Sequence, residues 1–194
     1  MLFRSATILF LDVRGFTSAS EKLSPQEVVS LLNAYFSIVV EAVARSGGAV
    51  NKFIGDAALC IWGAPRDAQD PELSAVRAAL EIQAGAKALG EIRAAQGLVI
   101  VGLGIGINSG EVLAGNLGAK ERLEYTVIGD VVNTAQRLES QAKAGEVLVS
   151  EEVYKAVAAH VLAEPREPVL LKGKAQPVPL WRVHALNAAQ TVAA

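Results

Sequence analysis

Apolar positions along the chain follow two periodicities, and the switches between them mark the elements. Ala6–Val13 is an almost unbroken β-branched and apolar run, ATILFLDV, that stops at Arg14-Gly15 and predicts a buried strand. From Ser24 the period becomes helical: Val28, Leu31, Leu32, Tyr35, Ile38, Val39, Ala42 and Val43 fall on one face. Ser24-Pro25-Gln26-Glu27 supplies a cap, a first-turn proline and a capping box, and Gly47-Gly48 ends this helix near Arg45. Val50–Ile54 and Ala58–Trp62 predict a hairpin joined at Gly55-Asp56. Asp70-Pro71-Glu72 opens a second long helix, to about Ala95, which Gly97 breaks.

Leu98–Asn108 predicts a strand in which Gly102, Gly104 and Gly106 share one face, bare of side chains, where another element can approach closely. Glu111–Asn116 and Arg122–Ile128 predict two more strands, and Asp130 a cap for a helix to about Lys143. Val147–Ser150 reads as a short strand and Glu151–Ala159 as a short helix. Two strands around Val169–Leu171 and Val178–Val183 close the pattern. The expectation is an α+β fold, a mixed sheet with long helices over one face. It forms one domain over residues 1–186, followed by a frayed tail over 187–194.

Composition narrows the function. At 194 residues with net charge −2, the chain is one ordinary domain without the basic footprint that grips nucleic acid. Cys60 is the single cysteine, and with His160 and His184 it offers neither a disulfide framework nor a zinc set. Ala6–Leu11 runs into Asp12 without a small-residue cleavage site, and Gly97–Ile107 is about half the roughly 20 residues a spanning helix needs. A soluble, cytoplasmic chain with no membrane insertion of its own is expected, whether whole or excised from something larger. The alternating glycines do not make a dinucleotide fingerprint, because Ser109 and Ile107 stand where its last glycine belongs. Gly173-Lys174 runs into Ala175, so there is no phosphate-binding P-loop, and the H-E-x-x-H and G-x-S-x-G motifs are absent.

Three segments can carry chemistry. Asp12 ends a buried strand before the small-residue loop Gly15-Phe16-Thr17; a carboxylate there can hold a hard divalent cation, and loop amides can meet phosphate. Asp56 at the hairpin tip can complete a two-carboxylate site of the kind that suits displacement at phosphorus. Asn133 and Arg137, one turn apart on the helix after Asp130, suit a sugar and the charge developing on a phosphoryl group. Taken singly, each has a plainer reading: Asp12 and Asp56 as turn residues, Lys52 as a surface lysine, the Asn/Arg pair as a polar stripe.

Taken together, FLDVRGFT, NKFIGDA, GINSGEVLAGNLG and YTVIGDVVNTAQRLES, in this order, resemble the catalytic domain of class III adenylate and guanylate cyclases over nearly the whole chain. The resemblance implies the ferredoxin-like cyclase fold, a mixed, mostly antiparallel sheet with helices packed on it. It implies two divalent cations, Mg²⁺ or Mn²⁺, at Asp12 and Asp56 with the Val13 carbonyl as a further ligand. Gly15, Phe16 and Thr17 would meet the β- and γ-phosphates, with Lys172 and Arg122 as further phosphate contacts. Lys52 and Thr126 would read the base, and Asn133 and Arg137 would place the ribose and stabilise the transition state. Lys52 favours ATP, whereas guanylate cyclases typically carry Glu there and Cys or Ser near position 126. Thr126 resembles a subgroup that includes bicarbonate-stimulated members. The implied assembly is a homodimer with two composite sites, each taking its metal carboxylates from one subunit and its Asn/Arg pair from the other. A degenerate, regulatory cyclase-like module is the rival of a different class; it usually lacks a metal Asp or the Asn/Arg pair, and all four are present. A diguanylate cyclase is excluded by the absence of its G-G-[DE]-E-F signature.

Overall fold

The computed structural model describes residues 1–119, 121–170 and 176–187. The first apolar run becomes the central strand β1 (Leu2–Arg14), followed by a five-residue helix α1 (Phe16–Ser20) and the long helix α2 (Pro25–Arg45). The α2 capping box forms as its sequence requires: Ser24 Oγ accepts from the Glu27 N–H, and the Glu27 carboxylate accepts from the Ser24 N–H at 2.8 Å. The hairpin is β2 (Ala49–Ile54) and β3 (Ala57–Trp62), and the second long helix is α3 (Pro71–Ala95). Then come β4 (Gly102–Ala119), β5 (Arg122–Ile128), α4 (Asp130–Gln141), β6 (Val147–Ser150), α5 (Glu151–Val157), β7 (Val161–Val169) and β8 (Val178–Leu186).

One sheet runs β2-β3-β1-β4-β6-β8-β7, with β5 on the second half of β4. Among the described strands every pairing is antiparallel except β4 with β6. The pleat of β1 sorts its side chains between two layers. Leu9, Leu11 and Val13 enter the main core with Leu31, Tyr35 and Val39 of α2 and Ile82 of α3, whereas Ala6, Ile8 and Phe10 face the layer that holds Ala135 of α4. The same alternation puts Asp12 and Arg14 on the α4 side. By length and composition α2 is apolar enough to cross a membrane, yet Leu31, Tyr35, Val39 and Val43 are packed into the core.

The bare glycine face of β4 is where α4 docks. A Cβ at Gly106 would stand 2.1 Å from the Glu139 nitrogen, one at Gly104 would meet the Arg14 guanidinium at 2.4 Å, and one at Gly102 would meet Ala144 at 2.5 Å. Elsewhere the chain departs from its pattern. Leu98–Val101 is not strand, and β4 runs unbroken through Gly110, which takes a φ of 156° that glycine alone adopts with ease. Asp70 lies at φ 44° and caps nothing with its side chain, and Gly129 rather than Asp130 occupies the cap position of α4. Phe16 and Thr17, expected in a loop, instead begin α1. Most of β7 lacks an apolar pattern because Glu164, Pro165, Arg166, Glu167 and Pro168 interrupt it. It is an edge strand, where proline is tolerated.

Candidate active site

Asp12 pairs in register with Ala57, which brings it beside Asp56 at the hairpin tip, where Gly55 turns the chain at a φ of 64°. Burial, and then the neighbouring charge of Asp56, raise Asp12 above the ordinary carboxyl range; the Arg14 guanidinium and the Val13 N–H pull the other way. Arg14 donates from Nη1 to Asp12 Oδ2 at 2.8 Å. Its other nitrogens reach the end of α4: Nε donates to the Ala142 carbonyl at 2.9 Å, and Nη2 donates to the carbonyl and the carboxylate of Glu139. Glu139 is itself buried, and burial raises it as well.

This donor set fits a hard cation. Two carboxylates and no imidazole or thiolate suit Mg²⁺ or Mn²⁺, whose remaining positions are filled by water and substrate phosphate. Among the described residues no three His, Cys, Asp or Glu groups converge, so the chain alone makes no closed metal cage. Gly15 begins α1 at a φ of 75°, and no side chain caps the helix there, which leaves the first-turn amides of Phe16 and Thr17 without a side-chain acceptor.

A second cluster forms where β2 meets β5. Asn51 Nδ2 donates to the Tyr125 carbonyl at 2.8 Å, and Lys52 Nζ donates to Glu124 Oε2 at 2.9 Å. Both pairs border a cavity of about 450 Å³ walled also by Ile61 and Pro65. Glu124 is held below the usual carboxylate range by that lysine. Thr126, two residues on along β5, is buried, and the lysine bonds to Glu124 rather than to it. Arg122 is exposed, 3.6 Å from Glu124. Lys172 lies outside the described residues. A larger cavity, of about 700 Å³, lies between α3 and the start of β4 and holds none of the residues named above as candidates.

The third cluster rides on α4. Asn133 is exposed and Arg137, one turn on, is half-buried; its Nη1 is buried without a hydrogen-bond partner. Among the described residues no hydrogen bond or ion pair joins Asn133 or Arg137 to Asp12, Asp56 or Lys52. The structure thus brings together Asp12 with Asp56, and Lys52 with β5, while the Asn/Arg pair shows no direct bond to either among the described residues. Sequence reasoning missed Arg14, Glu139 and Glu124 as neighbours of these groups. The signal for Arg14 was present, since residues 12 and 14 of a strand share a face opposite the glycines of β4.

The sequence profile of the adenylate and guanylate cyclase catalytic domain matches residues 2–185. The uncharacterized protein Rv1318c of Mycobacterium tuberculosis is 41% identical over 181 residues, which are 91% of this chain and 32% of that protein. The chain spans about a third of the length of the curated relatives it matches. Among solved structures, the adenylyl cyclase CyaB from P. aeruginosa superposes with a TM-score of 0.92 at 32% identity, covering 96% of this chain and 97% of that one. The guanylyl cyclase Cya2 also gives 0.92, at 37% identity over 98% and 96% of the two chains. The guanylate cyclase domain of RhGC from Catenaria anguillulae, in complex with GTP, gives 0.86 at 31% identity over 96% and 100%. With a mixed, mostly antiparallel sheet shared with these structures and a family match over nearly its whole length, this chain belongs to the adenylate and guanylate cyclase catalytic domain family.

Proposed function

We propose that the chain is an adenylate cyclase, converting ATP to 3′,5′-cyclic AMP and pyrophosphate by attack of the ribose 3′-hydroxyl on the α-phosphorus. The observation that carries the choice of ATP is Lys52, an ammonium donor at the wall of the cavity between β2 and β5. Adenine presents a ring-nitrogen acceptor where guanine presents a donor, so one base can accept from this ammonium and the other cannot. Such a mismatch is worth on the order of a few kcal/mol. Thr126 is the second residue assigned to the base.

Asp12 and Asp56, with the Val13 carbonyl, would hold divalent cations, which would supply Lewis-acid stabilisation of the triphosphate charge and a lowered barrier to deprotonating the 3′-hydroxyl. Arg137 is permanently cationic, and its planar fork, with one buried nitrogen unpartnered, suits the crowded phosphorus centre. Asn133 orients the ribose from the same helix face. The amides of Gly15, Phe16 and Thr17, with Lys172 and Arg122, hold the β- and γ-phosphates. The lack of any direct bond between the Asn/Arg pair and the carboxylates among the described residues, with Arg137 Nη1 buried and unpartnered, supports sites shared between the subunits of a homodimer. Thr126 makes bicarbonate, added at constant pH, the first effector to try. We read the chain as the catalytic part of a longer cytoplasmic signalling protein, because its relatives are about three times its length.

A guanylate cyclase is the second reading, and one observation favours it: the Glu124 carboxylate borders the same cavity and can accept from the guanine N1–H. The test is to incubate the purified chain with ATP or GTP and Mg²⁺ or Mn²⁺ and to resolve the products chromatographically. Cyclic AMP and pyrophosphate, with ATP far ahead of GTP, support the proposal. Cyclic GMP in comparable amounts removes Lys52 as the determinant of base choice.

A further inference from the structure

Arg14, hydrogen-bonded to Asp12, has no role in the chemistry above. Its guanidinium spends its donors on four acceptors: Asp12 Oδ2, the Glu139 carboxylate, and the carbonyls of Glu139 and Ala142. The two carbonyls are at the C-terminal end of α4, where the helix dipole favours a cation. The slot beneath it exists only because position 104 is glycine, whose missing Cβ would stand 2.4 Å from the guanidinium. We propose that Arg14 is a positioning residue for the cation site, fixing the Asp12 carboxylate by tying it to α4. This rests on the reading of Asp12 and Asp56 as cation ligands.

With Oδ2 anchored, Asp12 presents its other oxygen in a fixed plane. The Glu139 carboxylate serves as the counter-anchor, holding the guanidinium against α4. A lysine cannot make this tie, since a compact ammonium with three donors on a flexible stem does not reach four acceptors as the guanidinium fork does. The opposite role is equally definite: an arginine that only blocks Asp12 would be displaced by the cation, and removing it would tighten binding.

Mn²⁺ titration of the purified full chain at neutral pH, read by the electron paramagnetic resonance of free Mn²⁺, separates the two. Asp12→Asn is expected to abolish binding. If it binds as the wild type does, the reading of the cation site fails, whatever Arg14 does. Arg14→Gln and Arg14→Lys are each expected to weaken Mn²⁺ by about tenfold, the usual scale for a group that orients a metal ligand. Gly104→Ala, which keeps every charge and displaces the guanidinium, is expected to do the same. Wild-type or tighter affinity in any of these three variants overturns the proposal.

Discussion

Burial and the charge of Asp56 raise Asp12, and burial raises Glu139, so folding favours the protonated form of both carboxyls. A carboxyl raised in the native state makes stability fall as pH climbs from the unfolded carboxyl range through the raised native value. At neutral pH an ionised Asp12 therefore works against the fold, a cost that the cation-ligand role proposed for it would account for. Asp12→Asn should raise the melting temperature at pH 7 by roughly 2–4 °C and bring no gain under strongly acidic conditions, read by calorimetry. Mg²⁺ should raise the melting temperature of the wild type and leave that of Asp12→Asn unchanged. A lower melting temperature for the variant at neutral pH would contradict the sign of the shift. Lys52 is the opposite case, a half-exposed side chain in a surface ion pair that contributes little to stability. Lys52→Glu should leave the melting temperature within roughly 2 °C of wild type. It should cut kcat/KM for ATP by about 100-fold while narrowing or reversing the ATP-over-GTP preference, and an unchanged ratio in paired assays would take base reading away from this residue.

At the scale of elements, α4 carries Asn133 and Arg137, receives Arg14, and lies with its backbone against Gly106. A Cβ at that position, 2.1 Å from the Glu139 nitrogen and 2.6 Å from the Ala135 carbonyl, meets atoms that cannot rotate away. Gly106→Ala should therefore cost about 3 kcal/mol in urea unfolding, with activity falling in the surviving folded fraction because the helix shifts as a body. A cost under about 0.5 kcal/mol would mean that α4 is not held in this contact. This docking was legible beforehand in the three alternating glycines of β4, just as α2 was legible in its capping box and apolar face. What local pattern could not show was set by distant partners. The run of β4 through Gly110 depends on β1 pairing with it from Leu2 to Arg14. β7 is strand because β8 pairs with it at the sheet edge, against its own charges and prolines. The Lys52–Glu124 and Arg14–Glu139 pairs join residues 72 and 125 positions apart, beyond the reach of any periodicity.

The whole molecule raises a question that no single element answers, namely how a chain whose carboxylate pair and Asn/Arg pair share no direct bond among the described residues would carry out the displacement proposed for it. If each site takes Asp12 and Asp56 from one subunit and Asn133 and Arg137 from the other, a symmetric pair completes two sites at once. Asp12→Ala and Arg137→Ala proteins should then each be inactive alone. Mixed in equal amounts and allowed to exchange, half of the dimers become mixed, and each mixed dimer has one intact site and one doubly defective site. The expected recovery is about one quarter of wild-type activity, and specific activity of the wild type should fall on dilution as dimers dissociate. A site built within one chain predicts no recovery at any mixing ratio and no dilution effect. Recovery near one quarter would show the sites to be shared. It would also explain the buried, unpartnered Nη1 of Arg137 as a donor whose acceptor arrives only with nucleotide bound against the partner's carboxylates.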